Sequence, residues 1–203
     1  MSATREAYHH GDLHDALVTA AVQLVERQGE ADFSLREAAR EVGVSANAAY
    51  RHFEDKAALM TAVAAEGFER LARRMRRAME RAHGERSSIE RFKAVGRAYV
   101  EFAAEHPALF RLMFGAHGVG CLGAVDPARE TPWTLLGAAL DALVADGGLP
   151  AARRAGAELK AWTVVHGFAS LAPSGHPALP VGRARAAAIE ALLDFAVAGL
   201  REG

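Results

Sequence analysis

The chain has 203 residues, 51% of them apolar and 24% charged, with a formal net charge of −1 at pH 7. That length and balance describe an ordinary soluble globular protein of one large domain or two small ones. Cys121 is the single cysteine, which excludes an intrachain disulfide and any CxxC metal or redox site.

The apolar half leans on Ala and Leu, with few Thr, Ile or Tyr. No run alternates convincingly between apolar and polar residues, so an all-α fold of about nine helices is expected. The opening MSATREAYHHGDL lacks the apolar core of a secretion signal, and the first helix is expected from about Asp12. Leu13, Leu17, Ala20, Ala21, Leu24 and Gln28 step along one face of it, and Gly29 stands where it should end. Ser34-Leu35-Arg36-Glu37 has the form of a capping box, so a second helix starts sharply there and stops at Gly43. Ser45 caps a third helix and Asp55 a fourth. The fourth is long, with Leu59, Val63, Phe68, Leu71, Met75 and Met79 on its apolar side, until His83-Gly84 closes it.

Ser87 or Ser88 opens a fifth helix that ends before Pro107, and a short sixth covers 108–114. After the glycine-rich GAHGVGCLG, a seventh starts near Pro132, or as early as Pro127, and ends at Gly147-Gly148. The eighth takes roughly 152–171 and the ninth 182–200. The uncharged stretch 161–182 is about long enough to span a bilayer. Pro173, Pro177 and Pro180 break its second half, so a buried helix and a loop are expected in a cytoplasmic protein.

In the ninth helix Ala186, Ile189, Leu193, Ala196 and Leu200 recur at steps of three and four, a seam suited to a nearly parallel neighbour. Leu159, Trp162, His166 and Ala169 repeat the pattern in the eighth. These seams serve either the domain's own core or a homodimer interface of two helices per subunit.

Three short helices with the link Gly43-Val44-Ser45-Ala46 between the second and third have the dimensions of a helix-turn-helix. Gly43 can take the left-handed turn, and Val44 and Ala49 can fill the wedge between helices. At about 100° per residue, Ala49 and Phe53 face inward, Asn47, Ala48 and Arg51 face outward, and Tyr50 and His52 lie on the flanks. A helix in the major groove needs that arrangement. Asn pairs with adenine and Arg with guanine at its centre, while Tyr and His donate to phosphates at its edges. Lys56, beside the free amides that open the fourth helix, suits a further phosphate.

The segment from Tyr8 to about Leu71 resembles the DNA-binding region of the TetR family of bacterial transcriptional repressors. The likeness rests on FSLREAAREVGVSANAAYRHFEDKAAL, with Ala39, Gly43, Val44, Tyr50, His52, Phe53 and Lys56 in the family's characteristic places. It implies a homodimer on palindromic double-stranded operator DNA and a C-terminal helical domain that binds a small molecule. It also implies phosphate contacts at Tyr50, His52 and Lys56, operator contacts around Asn47 and Ala48, and a DNA-facing position for Arg36; Ser45, the cap, belongs with that set. Ala49 departs from the family's frequent Leu. Tyr8-His9-His10-Gly11 resembles an N-terminal arm of one branch, and Trp162-Thr-Val-Val-His166-Gly167 resembles a Trp-His-Gly signature of some TetR-like C-terminal domains. The expected division is a DNA-binding domain at 1–55 and a ligand-binding and dimerisation domain at 56–203.

Other constellations carry less. Residues 1–56 hold more acidic than basic side chains, so DNA affinity is expected to rest on local contacts and on two half-sites engaged together. Gly118-Val-Gly120-Cys-Leu-Gly123 matches GxGxxG but lacks the strand and helix a dinucleotide site needs. His10 and His14 have helical metal spacing without a third ligand. Trp162 and His166 share a helical face and either line a ligand cavity or form a packed Trp and a hydrogen-bonded core His. Phe110, Met113, Phe114 and His117 are further pocket candidates for a small apolar or amphipathic ligand. No nucleophile with an adjacent base is found, so no catalytic, metal or cofactor site is expected. The rival reading is an all-helical small-molecule binding or enzymatic domain whose helix-turn-helix is purely structural.

Overall fold

Capping side chains start most of these helices where the sequence places them. The computed structural model describes residues 3–29, 33–82, 87–118, 130–171 and 180–202, with backbone alone for 3–11. The side chains of Tyr8, His9 and His10, the turn at His83-Gly84, the glycine run beyond Gly118 with Cys121, Pro127, Pro173 and Pro177 lie outside the described residues.

Helix α1 spans Ala3–Gln28, so it begins before Asp12 and carries Gly11 within it; Gly29 ends it at φ 83°. The Ser34 hydroxyl accepts from the Glu37 amide at 3.2 Å and opens α2 (Leu35–Val42), which Gly43 closes in the left-handed conformation. Ser45 does the same for the Ala48 amide at 3.2 Å, opening α3 (Ala46–Tyr50). The Asp55 carboxylate accepts from the Ala58 amide at 2.7 Å, at the head of α4 (Lys56–Arg81). Next come α5 (Ser88–Glu105), capped by Ser87, and α6 (Pro107–Phe114). Thr131 and Thr134 form a reciprocal capping box for α7 (Pro132–Ala145). A 3₁₀ turn at Ala151–Arg153 precedes α8 (Ala157–Leu171), and α9 is Arg183–Glu202. The eighth helix thus starts later than expected, because Pro150 and the left-handed Gly156 (φ 73°) take up residues 150–156 in a turn. All regular elements among the described residues are helical.

The chain divides into two compact units, Met1–Gly67 with Ala108–Ala124, and Phe68–Pro107 with Val125–Gly203. In this grouping the first turns of α4 and nearly all of α6 go with the N-terminal helices. The cause is local. A Cβ on Gly67 would stand 2.7 Å from Met113 Cγ and 3.2 Å from Leu109 Cδ1, so the bare glycine lets α6 lie against α4. In the same unit Leu17, Leu24, Leu35, Ala38, Ala49, Phe53 and Leu59 are buried.

In the second unit α5 packs against α7, α8 and α9. A Cβ on Gly96 would come within 2.5 Å of Leu193 Cδ2, so that leucine enters α5 at its one gap. On either side, Lys93 Nζ meets Asp194 at 2.7 Å and Glu190 at 3.2 Å, and Arg97 pairs with Glu190. The seam of α9 is accordingly turned inward. Ile189, Leu193, Ala196 and Leu200 are buried in the protomer's own core, as is Ala169 of α8. Of the two uses open to the seams, the domain's own core therefore takes these five, while Ala186 and Leu159 of the same seams are exposed, Leu159 at 58%. Among the described residues, no helix is long and apolar enough to cross a membrane.

Candidate functional site

Two hydrogen-bonded ends set the direction of α3. The Gly43 turn is held by the Val44 amide donating to the Ala39 carbonyl at 2.9 Å, and Ser45 caps the new helix. Although α3 is only 5 residues long, its helical twist continues past Tyr50. Arg51 keeps right-handed helical angles (φ −77°, ψ −21°), and the Phe53 amide donates to the Ala49 carbonyl at 3.0 Å. Ala49 is fully buried and Phe53 is 4% exposed, so this edge anchors the segment. Asn47, Tyr50 and Arg51 are exposed, as are Ser45 and Arg36, while Ala48, His52 and Lys56 are half-buried.

The flank is braced by aromatic contacts. The His14 ring of α1 lies 4.8 Å from the Phe53 ring and 6.5 Å from that of His52, and its Nδ1 is 3.1 Å from an Asp15 carboxylate oxygen. His14 is thereby a neighbour of the α3 segment, a relation its i, i+4 spacing from His10 does not reveal. Lys56 places its ammonium 4.9 Å above the Phe33 ring. Such a face, with amide, guanidinium and phenol groups outward and imidazole and ammonium at the rim, can read base edges and bind phosphates.

The pocket candidates fall into both units. In the first, Phe110 and Met113 are packed core side chains, at 2% and 0% exposure. The Phe114 ring lies 4.8 Å from that of Phe110, tilted at 52°, and Phe114 and His117 are half-buried. In the second, Trp162 and His166 of α8 stack at 4.7 Å and share a partner that the sequence reading missed, Tyr99 of α5. The Trp162 indole N–H donates to the Tyr99 oxygen at 3.2 Å, and that oxygen lies 2.8 Å from His166 Nδ1. Accepting from Trp162 leaves the phenol its own proton to give, and in the His166 tautomer protonated at Nε2 it donates that proton to Nδ1. In that tautomer the Nε2–H faces the Ser170 hydroxyl, 3.3 Å away. Burial raises the Tyr99 pKa and lowers that of His166, so both are neutral near pH 7. Trp133 meets Trp162 edge-on at 6.4 Å. The available signal was a lone tyrosine inside the apolar face of α5 (AVGRAYVEF), where a buried hydroxyl requires a partner.

Of a second surface, the sequence reading had named Leu159 alone as an interface candidate. On α9 the residues Ala184, Ala187, Ala191, Phe195 and Ala198 are all exposed, and on α8 so are Leu159, Thr163, Gly167 and Leu171. The Thr163 hydroxyl donates to the Leu159 carbonyl at 2.7 Å, which satisfies its polar proton within the helix.

The family model for the tetracyclin repressor-like C-terminal domain matches residues 92–197, and that for the tetR family of bacterial regulatory proteins matches residues 17–63. Among solved structures the chain is similar to a protein of unknown function from Rhodococcus sp. RHA1, at 31% identity over 96% of this chain and 98% of that one, with a TM-score of 0.75. It shares its fold with the fatty acid degradation regulator FadR of Bacillus halodurans (16% identity, 94% and 95% covered, TM-score 0.67). The same holds for a TetR family transcription regulator from Marinobacter aquaeolei VT8 (17%, 95% and 97%, 0.62). No curated protein matches the chain. With a helix-turn-helix whose polar edge faces out, and with family matches over both parts of the chain, this protein belongs to the TetR family and is a DNA-binding transcriptional regulator, not an enzyme.

Proposed function

We propose that the protein is a cytoplasmic, nucleoid-associated repressor that binds a palindromic operator as a homodimer and leaves it when a small apolar or amphipathic ligand binds the C-terminal part. The observation that carries this reading is the polarity of the α3 segment, with Ala49 and Phe53 buried and Asn47, Tyr50 and Arg51 exposed. Asn47 and Arg51 read base edges. Tyr50, His52, Lys56, Arg36 and the Ser45 cap fix register on the phosphates, with Ala48 small enough to allow close approach.

For dimerisation, the exposed Leu159, Gly167 and Leu171 of α8 and Ala191, Phe195 and Ala198 of α9 replace the buried seam as the face for a second copy. Small residues let helices approach closely, and Phe195, at 67% exposure, is the side chain with most to gain from cover. For the ligand, the stacked Trp162 and His166, with Tyr99 behind them, supply an aromatic wall and a polar anchor. Phe110, Met113 and Phe114 belong to α6, which packs on α4 at Gly67 and which His117 follows, and displacement of α6 would reach the reading segment through α4. A coupling of about 1–3 kcal/mol suffices for a 5- to 150-fold loss of operator affinity.

Selection of bound duplexes from a random-sequence pool tests this. The expected product is a palindrome whose half-sites are centred about 10–10.5 base pairs, or a multiple, apart. An enriched set without dyad symmetry, or no enrichment, would refute the reading.

A further inference from the structure

Helix α4 runs from the first compact unit into the second, the division falling after Gly67. In the second unit α5, α7, α8 and α9 approach one another closely, and among the described residues the stretch 68–81 of α4 is in none of those close pairings. Leu71, Ala72 and Met75 are buried, which gives that stretch an apolar grip that is favourable but non-directional. Direction comes from a forked ion pair. The Arg74 guanidinium donates through Nη1 to one oxygen of Glu105 and through Nη2 to the other at 2.8 Å, and Nη2 also donates to Glu101 at 3.1 Å. Both carboxylates stand on α5, one turn apart. The hydrogen bond from Arg74 holds the Glu105 carboxyl below the usual carboxylate range, so the pair is ionised near neutral pH. Arg76 adds a single tie, its Nε 2.9 Å from Glu130 just ahead of α7. A planar fork on two oxygens fixes angle as well as distance. The side chains of Arg74, Glu101 and Glu105 are 29%, 45% and 55% exposed, and ion pairs so open to water add little to stability. What this one supplies is geometry.

We infer that Arg74 is a positioning residue for operator binding: its fork on Glu105 and Glu101 fixes the line of α4 and so the separation of the two reading segments in the dimer. This rests on the reading of the protein as a dimer on a palindrome. It makes a side chain of the second unit, one that meets neither base nor phosphate, a determinant of half-site spacing.

The test uses the duplex recovered from a random-sequence pool, and copies of it with one base pair added or removed at the centre. Each such change moves one half-site by about 3.4 Å and turns it by about 35°. The wild type is expected to lose about tenfold or more in affinity on either change, because its second subunit no longer meets its half-site. Arg74→Met is expected to bind the selected duplex about three- to tenfold more weakly and the altered duplexes no worse than the wild type does, so that the penalty for wrong spacing shrinks. Its urea midpoint and sedimentation coefficient should stay near those of the wild type. Glu101→Gln together with Glu105→Gln should reproduce this, and adding Arg74→Met to that pair should change little further, since all three act through one contact. Equal losses on all the duplexes, or an unchanged spacing penalty, would overturn the inference and leave the dimeric reading standing. A wild type indifferent to spacing would overturn that reading and the inference with it. Should Arg74→Met fail to fold or to dimerise, Arg74→Lys, which keeps the charge and lacks the fork, decides by the same comparison.

Discussion

Gly43 adopts φ 77° with no atom within 4 Å of where a Cβ would stand, so the cost of a side chain there is torsional and not a clash. Gly43→Ala is expected to lower stability by about 1–2 kcal/mol, read as a shift of the urea midpoint, and Gly43→Asn by less, since Asn tolerates this conformation. His166 makes a second residue-scale claim. Burial holds its pKa below the ordinary imidazole value of 6.5, so below that pH the unfolded chain binds a proton that the folded chain resists. Stability is therefore complete above about pH 6.5 and declines as pH falls toward the lowered folded value. A doubly protonated imidazole would also have no acceptor nitrogen to offer Tyr99. In His166→Asn this component of the pH–stability curve should vanish, measured as the difference between the two curves from pH 7.5 to 5. Parallel curves would show that the imidazole carries no such linkage.

Element by element, the parts readable from sequence are those fixed by near neighbours. Ser34, Gly43, Ser45 and Asp55 act on amides or torsions within three residues of themselves, so the limits of α2 and α3 and the outward face of Asn47 and Arg51 were legible. The facing of α9 was not. Two apolar stripes run side by side along it, Ile189-Leu193-Ala196-Leu200 and Ala187-Ala191-Phe195-Ala198. Which one turns inward depends on Gly96 and on Lys93 and Arg97, about a hundred residues away in sequence. Tyr99 with Trp162 and His166, and Phe33 under Lys56, were hidden for the same reason. α6 shows the principle at α4: Gly67 admits Met113 where a methyl group would stand 2.7 Å from its Cγ and Sδ. On helix propensity alone Gly67→Ala would stabilise by about 1 kcal/mol. Overpacking against Met113 is expected to reverse that sign, to a net loss of about 1–3 kcal/mol, visible in thermal or urea unfolding. A stabilised variant would mean that Met113 yields freely.

On the scale of the whole molecule, binding to a palindrome requires a second copy of the chain. Gly167 has nothing within 4 Å of a Cβ position in the isolated protomer, so Gly167→Ala alone should be harmless to the fold. Phe195→Asp, on a side chain already 67% exposed, should likewise leave the helical content unchanged. Both are expected to weaken self-association in sedimentation velocity, Phe195→Asp to a monomer at micromolar concentration. Loss of one half-site should then lower operator affinity even though the reading segment is intact. An undisturbed dimer in Phe195→Asp would move the subunit interface elsewhere.

The most direct measurement is the operator affinity of the double variant Asn47→Ala, Arg51→Ala, taken together with its melting curve and its sedimentation coefficient. Each bidentate base contact is worth about 1–3 kcal/mol of discrimination, so the two losses together should weaken binding to the selected duplex about thirtyfold or more. Binding to scrambled DNA, the melting curve and the sedimentation coefficient should be nearly unchanged. Selective binding equal to that of the wild type, in a variant that folds and associates normally, would contradict the account at its centre.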